Sequence, residues 1–244
     1  MNLSTLNLFD TIPLSYLQDK APLLNRKDLK YIFSIAIIDS VLNDCLEEYQ
    51  ILKIKDETLF RYNTNYYDTK DLKLYFDHHR GKGNRYKIRE REYVQNGLKF
   101  AEIKAKTNKN QTIKYRIEIK NWLEAKEFIQ DHTNILEADL HTSLYSEYTR
   151  ITLLHKAKKE KVTLDFNLQF YDKYKSVLYD NIVIAEIKTE QITANRFNEI
   201  MKKYKIRSGS LSKYCWGLVS LNPKLKQNNF KMMLNQIIKV NTHG

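Results

Sequence analysis

From Arg85 to Glu92 the chain reads RYKIRERE, with Arg85, Lys87, Arg89 and Arg91 alternating with Tyr86, Ile88, Glu90 and Glu92. Successive side chains of extended backbone point to opposite faces, so a strand here lines up four cations in one row. The same period of two recurs downstream. In 99–106, Glu102, Lys104 and Lys106 oppose Ala101, Ile103 and Ala105; in 112–120, Lys114, Arg116, Glu118 and Lys120 oppose Ile113, Tyr115, Ile117 and Ile119. In 161–168, Lys161, Thr163, Asp165 and Asn167 oppose Val162, Leu164, Phe166 and Leu168, and in 183–188 Glu186 and Lys188 oppose Val183, Ala185 and Ile187. Such repetition requires a sheet with one apolar and one charged face.

An ordinary sheet with one wet face explains the alternation. It does not explain why that face selects Lys and Arg with isolated acids, because like charges on neighbouring strands repel. An anion bridging the strands removes the conflict. Closing the sheet with the charged face inward gives a cation-lined channel whose low-dielectric walls trap phosphate oxygens. The composition agrees: Lys plus Arg is 41 against 29 for Asp plus Glu, a formal charge of +12. Nucleic acid is the alternative on composition alone, but it requires cations on an exposed face with interleaved aromatics. The parity of these strands disfavours it.

With 244 residues, 42% of them hydrophobic, the chain can bury a real core, and no linker or repeat divides it. One domain is expected over 1–244, with an N-terminal extension at 1–24 and a C-terminal helix at 223–244. Strands are expected at 29–33, 51–54, 60–68, 85–93, 99–106, 112–120, 148–154, 161–170 and 181–188. Ser34 is placed to cap a helix with Ile38, Val41, Leu42 and Cys45 on one face. Phe197, Ile200, Met201 and Tyr204 mark a second helix, and Phe230, Met233, Leu234, Ile237 and Ile238 a third. The expected class is α+β: a closed antiparallel β-tunnel with amphipathic helices packed outside. Cys45 and Cys215 lack metal-ligand spacing and read as buried small hydrophobes. The first residues lack the basic start and apolar run of a signal peptide, and no stretch nears the ~20 apolar residues of a membrane span. A cytoplasmic protein is expected.

The order of motifs adds a resemblance. NRKDLKYIF (25–33), NYYDTKDLKLYFDHHRGKGNRYKIRERE (65–92), FAEIKAK (100–106), KYR (114–116), YTR (148–150), KVTLDFNL (161–168), IAEIK (184–188) and SKYCWG (212–217) follow one another. From about Leu8 to about Leu221 the chain resembles the VTC domain, the polyphosphate polymerase domain of the vacuolar transporter chaperone type, which also occurs in bacterial stand-alone form. That family is related to the triphosphate tunnel metalloenzymes. The resemblance implies a cationic tunnel for triphosphate groups and transfer of the γ-phosphate of ATP to a polyphosphate chain. It also implies a divalent metal, Mn or Mg, and leaves room for a membrane protein partner.

Position by position, the resemblance implies catalytic roles for Lys30, Arg89, Arg91 and Lys213. It implies phosphate contacts from Lys87, Lys104, Lys114, Arg116, Arg150, Lys161 and Lys188, and metal binding by Glu186. Three positions depart from the family: Tyr145 and Ser210 stand where cations are expected, and Lys161 where an arginine is usual. These losses favour the rival of a non-catalytic sensor that binds polyphosphate or inositol pyrophosphates. A tripolyphosphate hydrolase of the same fold is the other alternative. Glu102 reads as a partner for Lys104, and Asp165 equally as a metal ligand or a structural hydrogen-bond acceptor. His78 and His79 beside RGKG read as a solvated loop, as does the basic turn with Lys156, Lys158 and Lys159. Tyr66, Tyr67, Tyr75 and Tyr86 read as packing.

Overall fold

Alternating apolar and polar positions build eleven strands of one sheet among the described residues. The structure, a computed structural model, describes residues 3–20, 27–109, 111–190 and 195–243. In chain order the strands are β1 (Thr11–Ile12), β2 (Lys27–Ser34), β3 (Tyr49–Leu52), β4 (Phe60–Asp68), β5 (Arg85–Tyr93) and β6 (Leu98–Lys106). They continue with β7 (Thr112–Ile119), β8 (His141–His155), β9 (Glu160–Tyr171), β10 (Ser176–Tyr179) and β11 (Ile182–Thr189). The helices are α1 (Leu14–Lys20), α2 (Ile38–Cys45), α3 (Lys73–His79), α4 (Lys126–His132), α5 (Arg196–Lys203), α6 (Lys213–Leu221) and α7 (Lys231–His243).

The main path runs β2-β11-β9-β8-β4-β5-β6-β7, antiparallel throughout. β2 and β7 end the path without pairing to each other among the described residues, so the expected closed tunnel is instead a curled sheet with a seam. A physical reason lies on β2. Its Lys30 carbonyl accepts the Gly209 N–H at 2.8 Å, and α7 packs alongside, where a further strand would otherwise pair. Near the N-terminus, β1 pairs in parallel with β3, and Leu6 and Phe9 are core residues.

The apolar face packs as expected over most of its area. Tyr31, Phe33, Val162, Leu164, Val183 and Ala185 meet Val41 and Leu42 of α2 and Phe197, Ile200 and Met201 of α5. Ile88, Ala101 and Ile103 meet Phe128 and Ile129 of α4. Not every helix lies outside, however. α6 and α7 pack on the charged side of the sheet, where Ile32, Tyr66, Leu144, Leu168, Phe170 and Ile184 give that face an apolar end. Gly217 makes this docking possible, because a Cβ there would lie 2.5 Å from Leu144 Cδ2 and 2.6 Å from Phe170 Cδ1.

Leu168 reaches this cluster through a register shift. The β8–β9 pairing is irregular between Glu147 and Thr149, and Asn167 opposite sits at φ +50°. Asparagine tolerates the left-handed region, and one extra residue exchanges the faces beyond it. The expected parity therefore holds for Lys161, Thr163 and Asp165 and fails at Asn167 and Leu168. The strand expected at 51–54 is shifted to Tyr49–Leu52, and Ile238 is exposed while Val240 joins the buried side of α7. No helix among the described residues is long and apolar enough to cross a membrane.

Candidate functional site

Residues from both ends of the curled sheet line one cavity of about 340 Å³. Its wall carries ten lysine and arginine side chains and two carboxylates. β5 supplies Lys87, Arg89 and Arg91, β6 supplies Glu102 and Lys104, and β7 supplies Lys114 and Arg116. From the other half come Lys30 on β2, Arg150 on β8, and Glu186 with Lys188 on β11; Lys213 opens α6. Strand register sets these in rows. Lys87 faces Lys104, which faces Lys114; Arg89 faces Glu102, which faces Arg116; Lys30 faces Glu186.

Acids hold part of the cationic set in place. Arg89 donates to Glu102 through Nε at 2.6 Å and Nη2 at 2.5 Å, while Arg91 and Arg116 stand 3.8 Å from the same carboxylate. Burial pushes the Glu102 carboxyl up, but Arg89 and Arg91 outweigh it and hold it down at about 2. Glu102 is thus an ion-pair partner as expected, though of Arg89 rather than Lys104. Asp165 accepts from Arg150 Nε at 2.5 Å and Nη2 at 2.8 Å, and from Lys213 Nζ. The structure therefore gives Asp165 the hydrogen-bond role. Glu186 lies 3.5 Å from Lys188; despite burial, Lys188 and Lys30 keep it ionised well below the usual carboxylate range.

The lysine row is different. Burial, together with the charges of Lys104 and Lys30, lowers Lys87 to about 8, and burial with Lys30 lowers Lys104. Crowded like charges of this kind are what an anion relieves.

Aromatic rings seat the arginine end. Tyr62 and Tyr148 stack at 5.3 Å, with Arg150 over both rings and Lys213 4.6 Å above Tyr148. Burial raises the Tyr148 phenol, yet Arg91 and Arg150 bring it below its ordinary value, and its hydroxyl has no hydrogen-bond partner among the described residues. Sequence reasoning gave Tyr148 no role. Its position two residues before Arg150, on the same strand face, was the available signal.

Of the sequence-nominated residues, all but Lys161 line the cavity. Lys161 shares its strand face with Asp165 but lies off the lining, at the level of Lys188. Tyr145 faces away from Arg150 and stacks on Tyr171 at 5.1 Å, so a cation there would not point inward. Ser210 is exposed. His78 and His79 belong to α3, not to a solvated loop: His79 is buried against Asn228. His78 bonds the Tyr86 carbonyl and Arg85, and burial with nearby Lys87 holds it neutral down to about 2. Tyr67 stacks on Trp122, and Tyr66 on Tyr214 while also lining the cavity. Lys156, Lys158 and Lys159 are exposed as expected.

A divalent cation fits this wall in one mode. Among the described residues no three His, Cys, Asp or Glu side chains converge, so an all-protein cage is ruled out by the donor set. Hard cations are also held by one or two carboxylates with phosphate oxygens and water completing the shell. Glu186 suits that mode, since the ion pair it makes with Lys188 is a loose one at 3.5 Å.

Residues 25–222 match the family model of the VTC domain. The chain belongs to the VTC domain family. No match was found among curated proteins. Among solved structures, this VTC domain is similar to a candidate adenylate cyclase from Bacillus halodurans, with 13% identity and a TM-score of 0.52 over 78% of this chain and 96% of that one. A candidate adenylate cyclase from Vibrio parahaemolyticus matches at 15% identity and 0.47, covering 78% and 95%. A Hippeastrum protein described by a dominant triphosphatase activity matches at 12% and 0.49, covering 82% and 98%. The Bacillus likeness shows a shared fold.

Proposed function

We propose that this VTC domain transfers a phosphoryl group from ATP to a polyphosphate chain, with a divalent metal held at Glu186. The observation that carries this reading is the convergence of ten cations from six strands and one helix on a single cavity. Phosphoryl transfer asks little covalent help; attacking and leaving oxygens must be held in line while charge on the transferred group is neutralised. Arg89, Arg91 and Arg150 present planar forks to phosphate oxygens, and carboxylates and rings fix those forks before any ligand arrives. Lys213 adds a point charge at the first turn of α6, whose N-terminus itself favours anions. Lys30, Lys104 and Lys114 hold the flanking phosphates. Glu186 would hold the metal, which would supply positive charge to offset that of the nucleotide phosphates. A terminal phosphate oxygen of the acceptor attacks the γ-phosphorus, the bond to the β-phosphate oxygen breaks, and ADP leaves. The acceptor oxygen is already anionic, so no general base is needed.

Incubation with ATP and manganese is expected to give chains that bind a polyphosphate dye, and Lys213→Ala is expected to abolish them. Absence of chains from the wild-type protein removes the polymerase reading. One observation favours a second reading, binding without turnover: Tyr145 and Ser210 stand where the resemblance implies cations. That reading gives thermal stabilisation by polyphosphate with no product.

A further inference from the structure

We infer that Asp165 is a positioning residue that fixes Arg150 and Lys213 relative to one another at the phosphate cavity. The inference rests on the phosphate-binding reading of that cavity. Asp165 is 2% exposed and lies outside the cavity lining, whereas both of its partners line it. It sits directly across the β8–β9 ladder from Arg150, and its two oxygens take three bonds, two from that guanidinium and one from Lys213 Nζ. Among the described residues, the Lys213–Asp165 pair is the ion pair that joins α6 to the sheet. Lys213 follows the helix cap Ser212, so this one bond fixes where the helix places its first cation.

A metal-ligand role conflicts with this geometry, because a divalent cation at Asp165 would stand beside Arg150 and Lys213. A merely structural role does not explain why both bonded cations face the cavity. Tyr148 completes the seat, lying beneath Lys213 at 4.6 Å and Arg150 at 5.3 Å. A carboxylate here has two opposed effects. It subtracts positive charge from the site, which weakens ground-state attraction for an anion, and it holds two cations at one spacing, which serves the transition state.

The test compares full-length wild type, Asp165→Asn and Asp165→Glu by calorimetry with tripolyphosphate and by turnover of ATP with manganese. Asp165→Asn is expected to bind tripolyphosphate more tightly than wild type while turnover falls about 100-fold, the scale of a misplaced reacting group. Asp165→Glu keeps the charge, and with it the compensation of the buried cations. It is expected to keep wild-type affinity and lose turnover. Wild-type affinity and turnover in a folded Asp165→Asn protein overturn the inference. Where that variant does not fold, wild-type turnover by Asp165→Glu overturns it instead. A wild-type protein that binds tripolyphosphate without turnover removes the polymerase reading and leaves the affinity of Asp165→Asn to decide: tightening supports the inference and no change overturns it. A wild-type protein that binds no tripolyphosphate sinks both.

Discussion

Lys87 stands between two demands. It faces Lys104 across the β5–β6 ladder, and burial with that neighbour brings its ammonium down to about 8 from the ordinary 10.5. Between those values the unfolded chain holds a proton that the folded chain has released. The stability owed to this group therefore rises with pH from about 8 toward 10.5, and below about 8 the folded state carries the cost of a crowded charge. A bound phosphate chain reverses the preference by favouring the ammonium. Tripolyphosphate binding is thus expected to take up protons above about pH 8, its affinity falling by up to about tenfold per pH unit from this one group. Titrations in buffers of different ionisation enthalpy read that uptake directly, and Lys87→Met is expected to lose it. Equal proton uptake by the two proteins contradicts the assignment.

At the scale of elements, α6 decides the geometry of the arginine end, and a glycine decides where α6 lies. Gly217 lets the helix approach Leu144 and Phe170, both fully buried with no room to withdraw. The other end of the contact is held by Asp68. Its carboxylate accepts the N–H groups of Thr69, Leu74 and Tyr75 at 2.7, 2.8 and 2.9 Å, and the Tyr214 hydroxyl. Gly217→Ala is expected to cost about 1–3 kcal/mol in urea unfolding, the usual price of overpacking. Because the displaced helix carries Lys213, the variant is also expected to bind tripolyphosphate more weakly. Wild-type affinity in a destabilised Gly217→Ala protein would show that α6 is not what places the cation. The helix itself was not legible in the sequence. Seven of its nine residues are buried, so no polar face marks a helical period. By contrast α5, with Phe197, Ile200 and Met201 buried and lysines opposite, carried the full amphipathic signal.

For the whole molecule, eleven of the twelve nominated side chains line one cavity: the resemblance alone nominated Lys30, Arg150 and Lys213, and the other eight sit on the faces expected from strand parity. Parity failed where one residue shifts phase, at Asn167, and it could not foresee the seam. Closure depends on how the two end strands meet, and no local pattern in β2 announces that Gly209 and α7 will lie beside it. The ion-pair network was equally hidden: Glu102 chooses Arg89 over Lys104 because of cross-strand register, which a single strand does not encode. The central claim is that the cations of separate strands share one phosphate chain. A crystal structure of the protein with tripolyphosphate and manganese tests it most directly. The account predicts triphosphate density inside the cavity, in contact with Lys30, Arg89, Arg91 and Lys213. Triphosphate bound only at the exposed turn of Lys156, Lys158 and Lys159, with the cavity holding none, would contradict it.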